Sequence, residues 1–277
     1  MADEEIPKAL RERVIPLYTV RPGKRLVLVA AEIDDRPGTA ANVLKVLAEA
    51  GVNVRHQQAN VMRDAGYGTI RAVGEAPPSL VRDEFEAALR ETPGVRFARV
   101  EESPRGFLVD AALPLRAHGG RERVLSLTTT YFAEMLDHMR SNLGSGGAVL
   151  VNEQGYALGK EAWTGYVEQV GADRLAADLG YAMQVLAAVG WGRPRIVSAN
   201  LADGTAEVRL EESFECSGRK LGAPYSQFLR GYLGGAFEVL ARRPVECAET
   251  QCVAKGDEAC VFEVRAKADP SATGREG

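Results

Sequence analysis

Three of the four cysteines lie close together near the C-terminal end of the chain. Cys247, Cys252 and Cys260 fall within 14 residues, together with Glu249. Thiolate sulfur and carboxylate oxygen are ligands that Zn²⁺ takes in tetrahedral sites, and two neighbouring thiols can also form a disulfide. The segment therefore has the residue types for a metal site, for a redox pair or for a set of packed thiols.

The pattern around these cysteines predicts a β-hairpin. Apolar and polar residues alternate on either side of Lys255-Gly256-Asp257, which is typical of two antiparallel strands, and Gly256 can take the positive φ of a tight turn. A turn centred on Gly256 places Cys252 opposite Cys260. Directly opposed side chains are about 4.5–5.5 Å apart at Cβ, close enough to share a metal or to form a disulfide.

Composition limits the classes of protein to which the chain can belong. Its 277 residues are 45% hydrophobic and 26% charged, which is typical of a globular chain of about two domains. A net charge of -4 gives no broad positive field, so we expect no nucleic-acid partner. Neither a leader pattern nor a run approaching about 18 apolar residues is present. We therefore expect a cytoplasmic protein without a membrane segment, in which cysteines are thiols or metal ligands more often than structural disulfides.

The first part of the chain predicts the element order βαββαβ. A buried-type strand at 26–33 is followed by a helix that ends at Gly51. Further strands are expected at 52–62, 68–73 and 95–100, and a second helix after Pro77-Pro78. This order is that of the ferredoxin-like arrangement, in which two helices cover one face of a four-stranded antiparallel sheet.

Residues 24–102 resemble the ACT domain, a small regulatory module that binds amino acids or similar metabolites. The element order and the motifs IDDRPGTAANVL and AEAGVNV carry the resemblance. It implies a ligand at the loop between the first strand and the first helix, where a free helix N-terminus can bind a carboxylate. A helix cap and turn without a ligand is the alternative. The candidate residues are Asp34, Asp35, Pro37, Gly38 and Thr39.

The second part of the chain predicts a mixed α+β domain. We place an N-terminal arm at 1–23, a junction at 103–120, the second domain at 121–266 and a disordered tail at 267–277. The expected elements are a helix at 122–143 that stops at Gly144, a strand in AVLVNE (148–153), a helix at 173–189, strands at 195–201 and 205–214, and a helix at 225–241. Cys216 is expected at the edge of the strand that precedes it.

Two features of the expected helices admit more than one interpretation. The first helix has an apolar face that is expected to be core, and its soft and aromatic side chains also suit an apolar ligand pocket. That face contains Leu125, Tyr131, Phe132, Met135, Leu136 and Met139. The last helix contains Gly231, Gly234 and Gly235, each costing up to ~1 kcal/mol relative to alanine. Either close packing or room for a ligand would offset that cost.

The second part also resembles the 4-vinyl-reductase domain of predicted hydrocarbon-binding proteins and of aromatic-responsive sensors. The resemblance covers about residues 106–266. It is carried by the segment Gly155–Gly159, by Gly231-Tyr232, and by E-x2-C-x7-C-x-F from Glu249 to Phe262. It implies a fold similar to vesicle-tethering complex subunits, with a mainly antiparallel sheet against a layer of helices, usually as a homodimer. The candidate residues for binding an apolar or aromatic molecule are Tyr156, Trp163, Tyr232 and Gly235.

The resemblance also implies a zinc site. In the phenol- and toluene-type sensors of that family, zinc is held by this glutamate, these two cysteines and a cysteine on the preceding helix. Glu249, Cys252 and Cys260 match, but the helix position falls on Ser226, which is a poor zinc ligand. Cys247 or Cys216 would complete a set of four. Packed reduced thiols and a redox disulfide are the alternatives to a metal.

The sequence favours a non-catalytic, ligand-responsive sensor or regulatory protein. It shows no nucleophile–base pair and no nucleotide-binding glycine loop. Because it also shows no helix-turn-helix, ATPase or kinase motif, we expect output through a protein partner or through the oligomeric state. The enzyme alternative is a tetrapyrrole 4-vinyl reductase, or an accessory carrier of a hydrophobic cofactor, and a structural assembly subunit is a third class.

Overall fold

The computed structural model describes residues 18–62, 65–111, 116–117 and 122–268. Contacts divide the chain into two compact units, Met1–Leu125 and Ser126–Gly277. Residues 1–17 of the expected arm, part of the expected junction and residues 269–277 of the expected tail lie outside the described residues. None of the described helices has the length and apolar character needed to cross a membrane.

The first unit contains the predicted order βαββαβ, preceded by a short strand and followed by three more. Its main sheet is antiparallel, with β3, β4, β2 and β5 side by side in that order. Strand β1 pairs with β6, and β7 pairs with β8. The elements are β1 (Tyr18–Val20), β2 (Leu26–Asp34), α1 (Thr39–Glu49), β3 (Asn53–Met62), β4 (Tyr67–Glu75), α2 (Arg82–Arg90), β5 (Val95–Ser103), β6 (Phe107–Val109), β7 (Arg116–Ala117) and β8 (Glu122–Arg123).

The core of the first unit lies between the sheet and its two helices. Alternate residues of β2, from Val27 to Ile33, pack with Val43 and Leu47 of α1 and with Phe85 of α2, because a strand repeats every two residues and a helix about every 3.6. The opposite face of β2 is also covered at its start, where Leu26 and Leu28 pack with Val73 and Leu108. Burial on both faces explains why this strand begins as a continuous apolar run.

The second unit packs helices on a four-stranded antiparallel sheet. The strand order is β11, β12, β10, β9. Ala206, Val208 and Leu210 of β10 are buried in one core with Phe262 and Val264 of β12. The elements are α3 (Thr129–Val170), α4 (Ala172–Ala177), α5 (Leu179–Ala182), α6 (Val185–Ala188), β9 (Arg193–Asn200), β10 (Thr205–Glu211), α7 (Gln227–Ala241), β11 (Val245–Gln251), a 3₁₀ turn (Val253–Lys255) and β12 (Cys260–Ala266). The expectation of a mixed α+β chain with antiparallel sheets is confirmed.

Helix α3 bends sharply at Gly144, which has φ 54° and ψ -130°. A Cβ atom on Gly147 would lie 2.3 Å from the carbonyl oxygen of Met139, although residues eight apart in a straight helix are about 12 Å apart along its axis. The predicted stop at Gly144 is therefore present. The predicted strand AVLVNE is wrong, because these residues form the first turns of the second arm of α3, and a short apolar run does not distinguish a strand from a buried helix.

The first arm of α3, residues 129–143, differs from its prediction in length and orientation. It begins at Thr129, after Thr128 accepts a hydrogen bond from the Tyr131 N–H at 3.2 Å, and not at Glu122. Leu136 is buried, and Phe132 and Met139 pack on the core. Leu125, Tyr131 and Met135 are exposed, so their predicted inward orientation is wrong: Leu125 precedes the helix, and the other two lie on its outer face.

Two further elements of the second unit are shorter than predicted. The helix expected at 173–189 is a series of three short helices, although Leu175, Leu179, Met183 and Leu186 are buried as their spacing predicts. The strand expected to reach Phe214 ends at Glu211, because Glu212 takes φ 53°, a left-handed conformation that cannot continue a strand.

Helices α3 and α7 cross with their backbones in contact. A Cβ atom built on any of four glycines would lie 2.0–2.2 Å from a carbonyl oxygen of the facing helix, so only a hydrogen atom fits. These glycines are Gly155 and Gly159 of α3 and Gly231 and Gly235 of α7. Close helix packing therefore offsets the helix-propensity cost of Gly231 and Gly235.

Candidate metal centre

Four side chains of metal-ligand type converge in the second unit. Ligand atoms of Cys216, Glu249, Cys252 and Cys260 all lie within 4.8 Å of one another. The Cys216 Sγ is 3.4 Å from the Cys252 Sγ and 3.8 Å from the Cys260 Sγ. The three cysteines are fully buried. We call these four residues the thiol–carboxylate cluster.

A bulge in β11 explains how Glu249 and Cys252 face the same cluster. In a regular strand, residues three apart point to opposite faces. The pairing with β12 changes register between Glu249 and Gln251, so Thr250 is an extra residue of the kind that forms a β-bulge. Thr250 and Gln251 are both exposed, and Cys252 returns to the buried side.

The hairpin is present, but its register and its turn differ from the prediction. Cys247 pairs with Val264, one residue away from the partner that a turn centred on Gly256 requires. The connection is the 3₁₀ turn followed by Gly256 at φ 116°, and the Asp257 carboxylate accepts the Cys252 N–H at 2.8 Å. Cys252 and Cys260 are brought together by this longer loop and not as an opposed pair in the ladder.

Cys216 reaches the cluster from the loop between β10 and α7, and not from a strand edge. The loop is fixed by backbone hydrogen bonds, from the Phe214 N–H to the Trp191 carbonyl at 3.0 Å and from the Leu221 N–H to the Ala254 carbonyl at 2.7 Å. The other proposed replacement, Cys247, lies outside the cluster, with its Cβ beside Gly234. Burial raises the pKa of the Cys247 thiol to about 12.

Ser226 lies against the cluster although it is not one of its four members. Its N–H donates to Glu249 Oε2 at 2.9 Å, and its hydroxyl is 2.6 Å from Glu249 Oε1. The same hydroxyl is 3.1 Å from the Cys216 Sγ and 3.7 Å from the Cys260 Sγ. Ser226 is the N-cap residue of α7 and is buried.

Glu215, next to Cys216, satisfies the first turn of α7. Its carboxylate accepts the Phe228 N–H at 2.9 Å and the Leu229 N–H at 3.0 Å, two of the donors that a helix start leaves unpaired. Arg140 of α3 forms an ion pair with it. Burial raises the pKa of Glu215 to about 7, against the opposing effect of Arg140.

Arg140 extends this network to the surface of the first arm of α3. It donates to the side chains of Gln227 at 2.9 Å and Asp137 at 2.8 Å. Asp137 also accepts from the Tyr225 hydroxyl at 2.7 Å and pairs with Arg219. The loop that carries Cys216, the first arm of α3 and the start of α7 are therefore joined by one set of polar contacts.

The thiols of the cluster share protons unequally. A hydrogen bond from Cys260, together with those from Ser226 and Cys252, lowers the pKa of the Cys216 thiol to about 6 against the effect of burial. Donation to Cys216, followed by burial, raises the pKa of Cys260. Burial raises the pKa of Cys252 to about 11. One sulfur that accepts from its neighbours is the arrangement that a cation would replace.

The donor set fits a closed tetrahedral metal site. With metal–sulfur bonds of about 2.3 Å, tetrahedral geometry places neighbouring sulfurs about 3.8 Å apart, and the two Sγ–Sγ distances are 3.4 and 3.8 Å. Three thiolates and one carboxylate fill four positions and leave none open for a substrate. Thiolate ligands favour zinc over magnesium or calcium.

The predicted ligand-binding residues of the second unit all lie along the α3–α7 crossing. Trp163 is buried and donates from Nε1 to the Tyr232 hydroxyl at 3.2 Å, and burial raises the pKa of Tyr232. Tyr156 is half-buried beside Lys160. Gly235 faces the Tyr156 carbonyl. The structure brings the four together, and a ligand role for them stays a prediction.

An aromatic cluster beside this crossing was not predicted from the sequence. Its ring centroids lie 5.0–6.1 Å apart, mostly in edge-to-face contacts. Its members are Phe132, Trp191, Phe214, Phe228 and Tyr232. They come from four separate parts of the chain, so no local spacing could have revealed them. An open pocket of about 860 Å³ lies along the first arm of α3, lined by Tyr131, Glu134, Met135, Asp137, His138, Arg140, Ser141 and Tyr225.

The predicted ligand residues of the first unit surround the start of α1. Asp34 accepts from Arg96 at 2.7 Å and pairs with Arg36, and the hydrogen bond from Arg96 holds the pKa of Asp34 below its usual value. Gly38, at φ 91°, precedes the helix without a side-chain cap. Asp35 and Pro37 are exposed and Thr39 is buried. The five lie in one loop, and their ligand role also stays a prediction.

Residues 206–266 match the model of the 4-vinyl-reductase domain. An uncharacterized protein of Methanocaldococcus jannaschii, MJ0745, is 33% identical over 57 residues, which are 21% of this chain and 32% of that protein. The chain thus matches about a third of the length of this curated relative.

Solved structures similar to the chain fall into two groups. The phenol-responsive sensory domain of the transcription activator PoxR, solved with phenol, is 20% identical with a TM-score of 0.45, covering 53% of this chain and 78% of that one. An ACT domain protein from Streptococcus pneumoniae is 24% identical with a TM-score of 0.25, covering 28% of this chain and 90% of that one. At these TM-scores the likenesses carry no argument about function.

Proposed function

We propose that the chain is a non-catalytic, ligand-responsive sensor or regulatory protein whose second unit binds a small apolar or aromatic molecule. In this proposal, zinc held by Cys216, Glu249, Cys252 and Cys260 stabilises that unit. The convergence of these four buried ligands within 4.8 Å carries the proposal. All four also fall within residues 206–266, which match the 4-vinyl-reductase domain.

Zinc at this site acts as a structural cross-link. It joins the loop before α7 to both ends of the β11–β12 connection, segments that are distant in sequence. The loop is in turn held to α3 through Glu215 and Arg140. Metal binding therefore stabilises the start of α7 and the position of the first arm of α3 at the same time.

The aromatic cluster is the proposed ligand site of the second unit. Its edge-to-face rings offer the contacts by which aromatic molecules pack. Phe132 covers Phe214 and Phe228 from the first arm of α3, and this arm joins the rest of the helix at the bend of Gly144. A ligand that enters the cluster displaces this arm, which gives binding a structural consequence that a partner can recognise.

For the first unit, we propose a ferredoxin-like ACT-type regulatory module over residues 24–102. The uncapped start of α1, with its unpaired N–H groups, suits the carboxylate of an amino-acid-like metabolite. A homodimer and a protein partner for output complete the proposal. Size-exclusion chromatography with light scattering tests the homodimer, and a monomer under all conditions would contradict it.

Elemental analysis of the purified full chain tests the metal site. We expect about one zinc per chain in the wild type and in Cys247→Ser, because Cys247 lies outside the cluster. We expect no zinc and a lower unfolding temperature in Cys252→Ser. A wild type without metal, or equal zinc in Cys252→Ser, would contradict the site.

Thermal unfolding in the presence of phenol, toluene or cyclohexane tests the ligand proposal. Saturable stabilisation of the second unit by an aromatic probe is expected, because a molecule that binds only the folded state raises its stability. Loss of that stabilisation in Phe228→Leu would place the probe in the aromatic cluster. A visible absorption spectrum of a bound tetrapyrrole in the purified protein would instead favour the alternative of a 4-vinyl reductase or a carrier of a hydrophobic cofactor.

A further inference from the structure

Ser226 has the contacts of a residue that positions a metal ligand. We infer that Ser226 orients Glu249 toward the three thiols, so that this carboxylate is held ready for a metal before one binds. The inference rests on the proposed metal site. It concerns how this chain forms the site, and it assigns Ser226 a role other than that of a ligand.

The hydroxyl of Ser226 is free for this role because another residue caps the helix. A serine at the N-cap normally accepts an N–H of the second or third helical residue. Here Ser226 makes no side-chain cap, and the Glu215 carboxylate takes the N–H groups of Phe228 and Leu229. The position of a capping serine is retained while its hydroxyl is turned to the cluster.

Both oxygens of Glu249 are held by the same residue. Ser226 donates its N–H to Oε2 at 2.9 Å, and its hydroxyl lies 2.6 Å from Oε1. A carboxylate accepts and cannot donate, so the hydroxyl proton of Ser226 is directed to Glu249. The hydroxyl oxygen is then left to accept from a neighbouring thiol, in line with its 3.1 Å distance to the Cys216 Sγ.

This contact matters because Glu249 is the only flexible member of the cluster. Burying a glutamate side chain costs up to about 2 kcal/mol in lost rotamer freedom, whereas a cysteine has a single rotatable bond to its sulfur. Hydrogen bonds from Ser226 fix the glutamate before the metal arrives. Residues that orient metal ligands in this way typically change metal affinity by about 10- to 100-fold when they are removed.

The test uses the full chain in the wild type and in Ser226→Ala, Ser226→Cys and Cys247→Ser. Zn²⁺ affinity is measured by competition with a chromogenic chelator, and Co²⁺ is added to the apo-protein because its thiolate charge-transfer absorption reports the number of coordinating sulfurs. Ser226→Ala should bind zinc about 10- to 100-fold more weakly and keep the three-thiolate cobalt spectrum. Its apo-form should unfold at nearly the wild-type temperature, since no helix cap is lost. Cys247→Ser should match the wild type in each measurement.

Ser226→Cys tests the geometry independently of affinity. A sulfur at this position lies beside Glu249 and Cys216, so the cobalt spectrum should gain the absorption of a fourth thiolate. An unchanged thiolate count in this variant, or wild-type zinc affinity in Ser226→Ala, would overturn the role of Ser226 and leave the metal site intact. A wild type that binds neither zinc nor cobalt would overturn the metal site itself.

Discussion

Replacing Gly231 with alanine should destabilise the second unit, although alanine is the better helix former. A Cβ atom at this position would lie 2.0 Å from the Asn152 carbonyl oxygen and 2.8 Å from the Tyr156 nitrogen. Both are backbone atoms and cannot rotate away. To reach 3.0 Å from that oxygen, the two helices would have to separate by about 1 Å, which also loosens the contacts at the other three crossing glycines.

The magnitude follows from two opposing effects. Alanine gains up to about 1 kcal/mol over glycine from helix propensity, while overpacking of a close contact costs about 1–3 kcal/mol or more. Because four backbone contacts are disturbed together, we expect the upper end of that cost and a net loss of about 2 kcal/mol. For a unit of this size, 2 kcal/mol lowers the unfolding temperature by roughly 4–8 °C.

Gly165→Ala is the matched control, because Gly165 also lies in helix α3 and has no atom within 4 Å of its Cβ position. It should raise the unfolding temperature by about 2–4 °C, from helix propensity alone. The assay is thermal unfolding followed by tryptophan fluorescence, since both tryptophans of the chain, Trp163 and Trp191, lie in the second unit. If Gly231→Ala were as stable as the wild type or as Gly165→Ala, the close crossing would be refuted.

Two further variants examine charged groups. Arg140→Met removes the cation that faces the fully buried Glu215 and should cost about 3–5 kcal/mol in denaturant unfolding of the second unit. The exposed Arg265, paired with Glu263, should cost at most about 1 kcal/mol as Arg265→Met, and similar losses in the two would argue against the buried pair. In the first unit, the Val100 N–H, followed by Arg90 and Arg82, holds the pKa of Glu86 below 4.5 in spite of burial. A lowered carboxyl pKa stabilises the folded state above the unfolded value and loses that effect as pH falls through the folded pKa. The difference in amide exchange at residues 95–103 between the wild type and Glu86→Gln should therefore be full above pH 4.5 and should shrink below it, and a constant difference would exclude this linkage.

Local patterns predict the elements that each carry their own period. In the first unit, β2 and α1 repeat with periods of about two and 3.6 residues, and Gly51 and Gly38 take the positive φ that their turns require. The order βαββαβ follows from these signals. The stop at Gly144 is predictable for the same reason, because a glycine outside the helical region interrupts the backbone whatever surrounds it.

Prediction from local pattern fails where partners distant in sequence decide the structure. AVLVNE is apolar enough for a strand, but the following glycines need a helix to meet Gly231 and Gly235 of α7. Cys216 is 36 residues from Cys252, so spacing alone could not prefer it to Cys247. The one-residue error in the hairpin register comes from the bulge at Thr250, which lets Glu249 and Cys252 share a face.

The crossing glycines also say something about descent. Two backbones in contact accept only hydrogen at each of four positions, so a change at Gly155 or Gly159 cannot be compensated by a side chain elsewhere. A thiol ligand is under a weaker constraint, because different loops can deliver a sulfur to the same place. Among chains that share this ancestry, the four glycines should persist together, while Gly165 drifts and the cysteines change position.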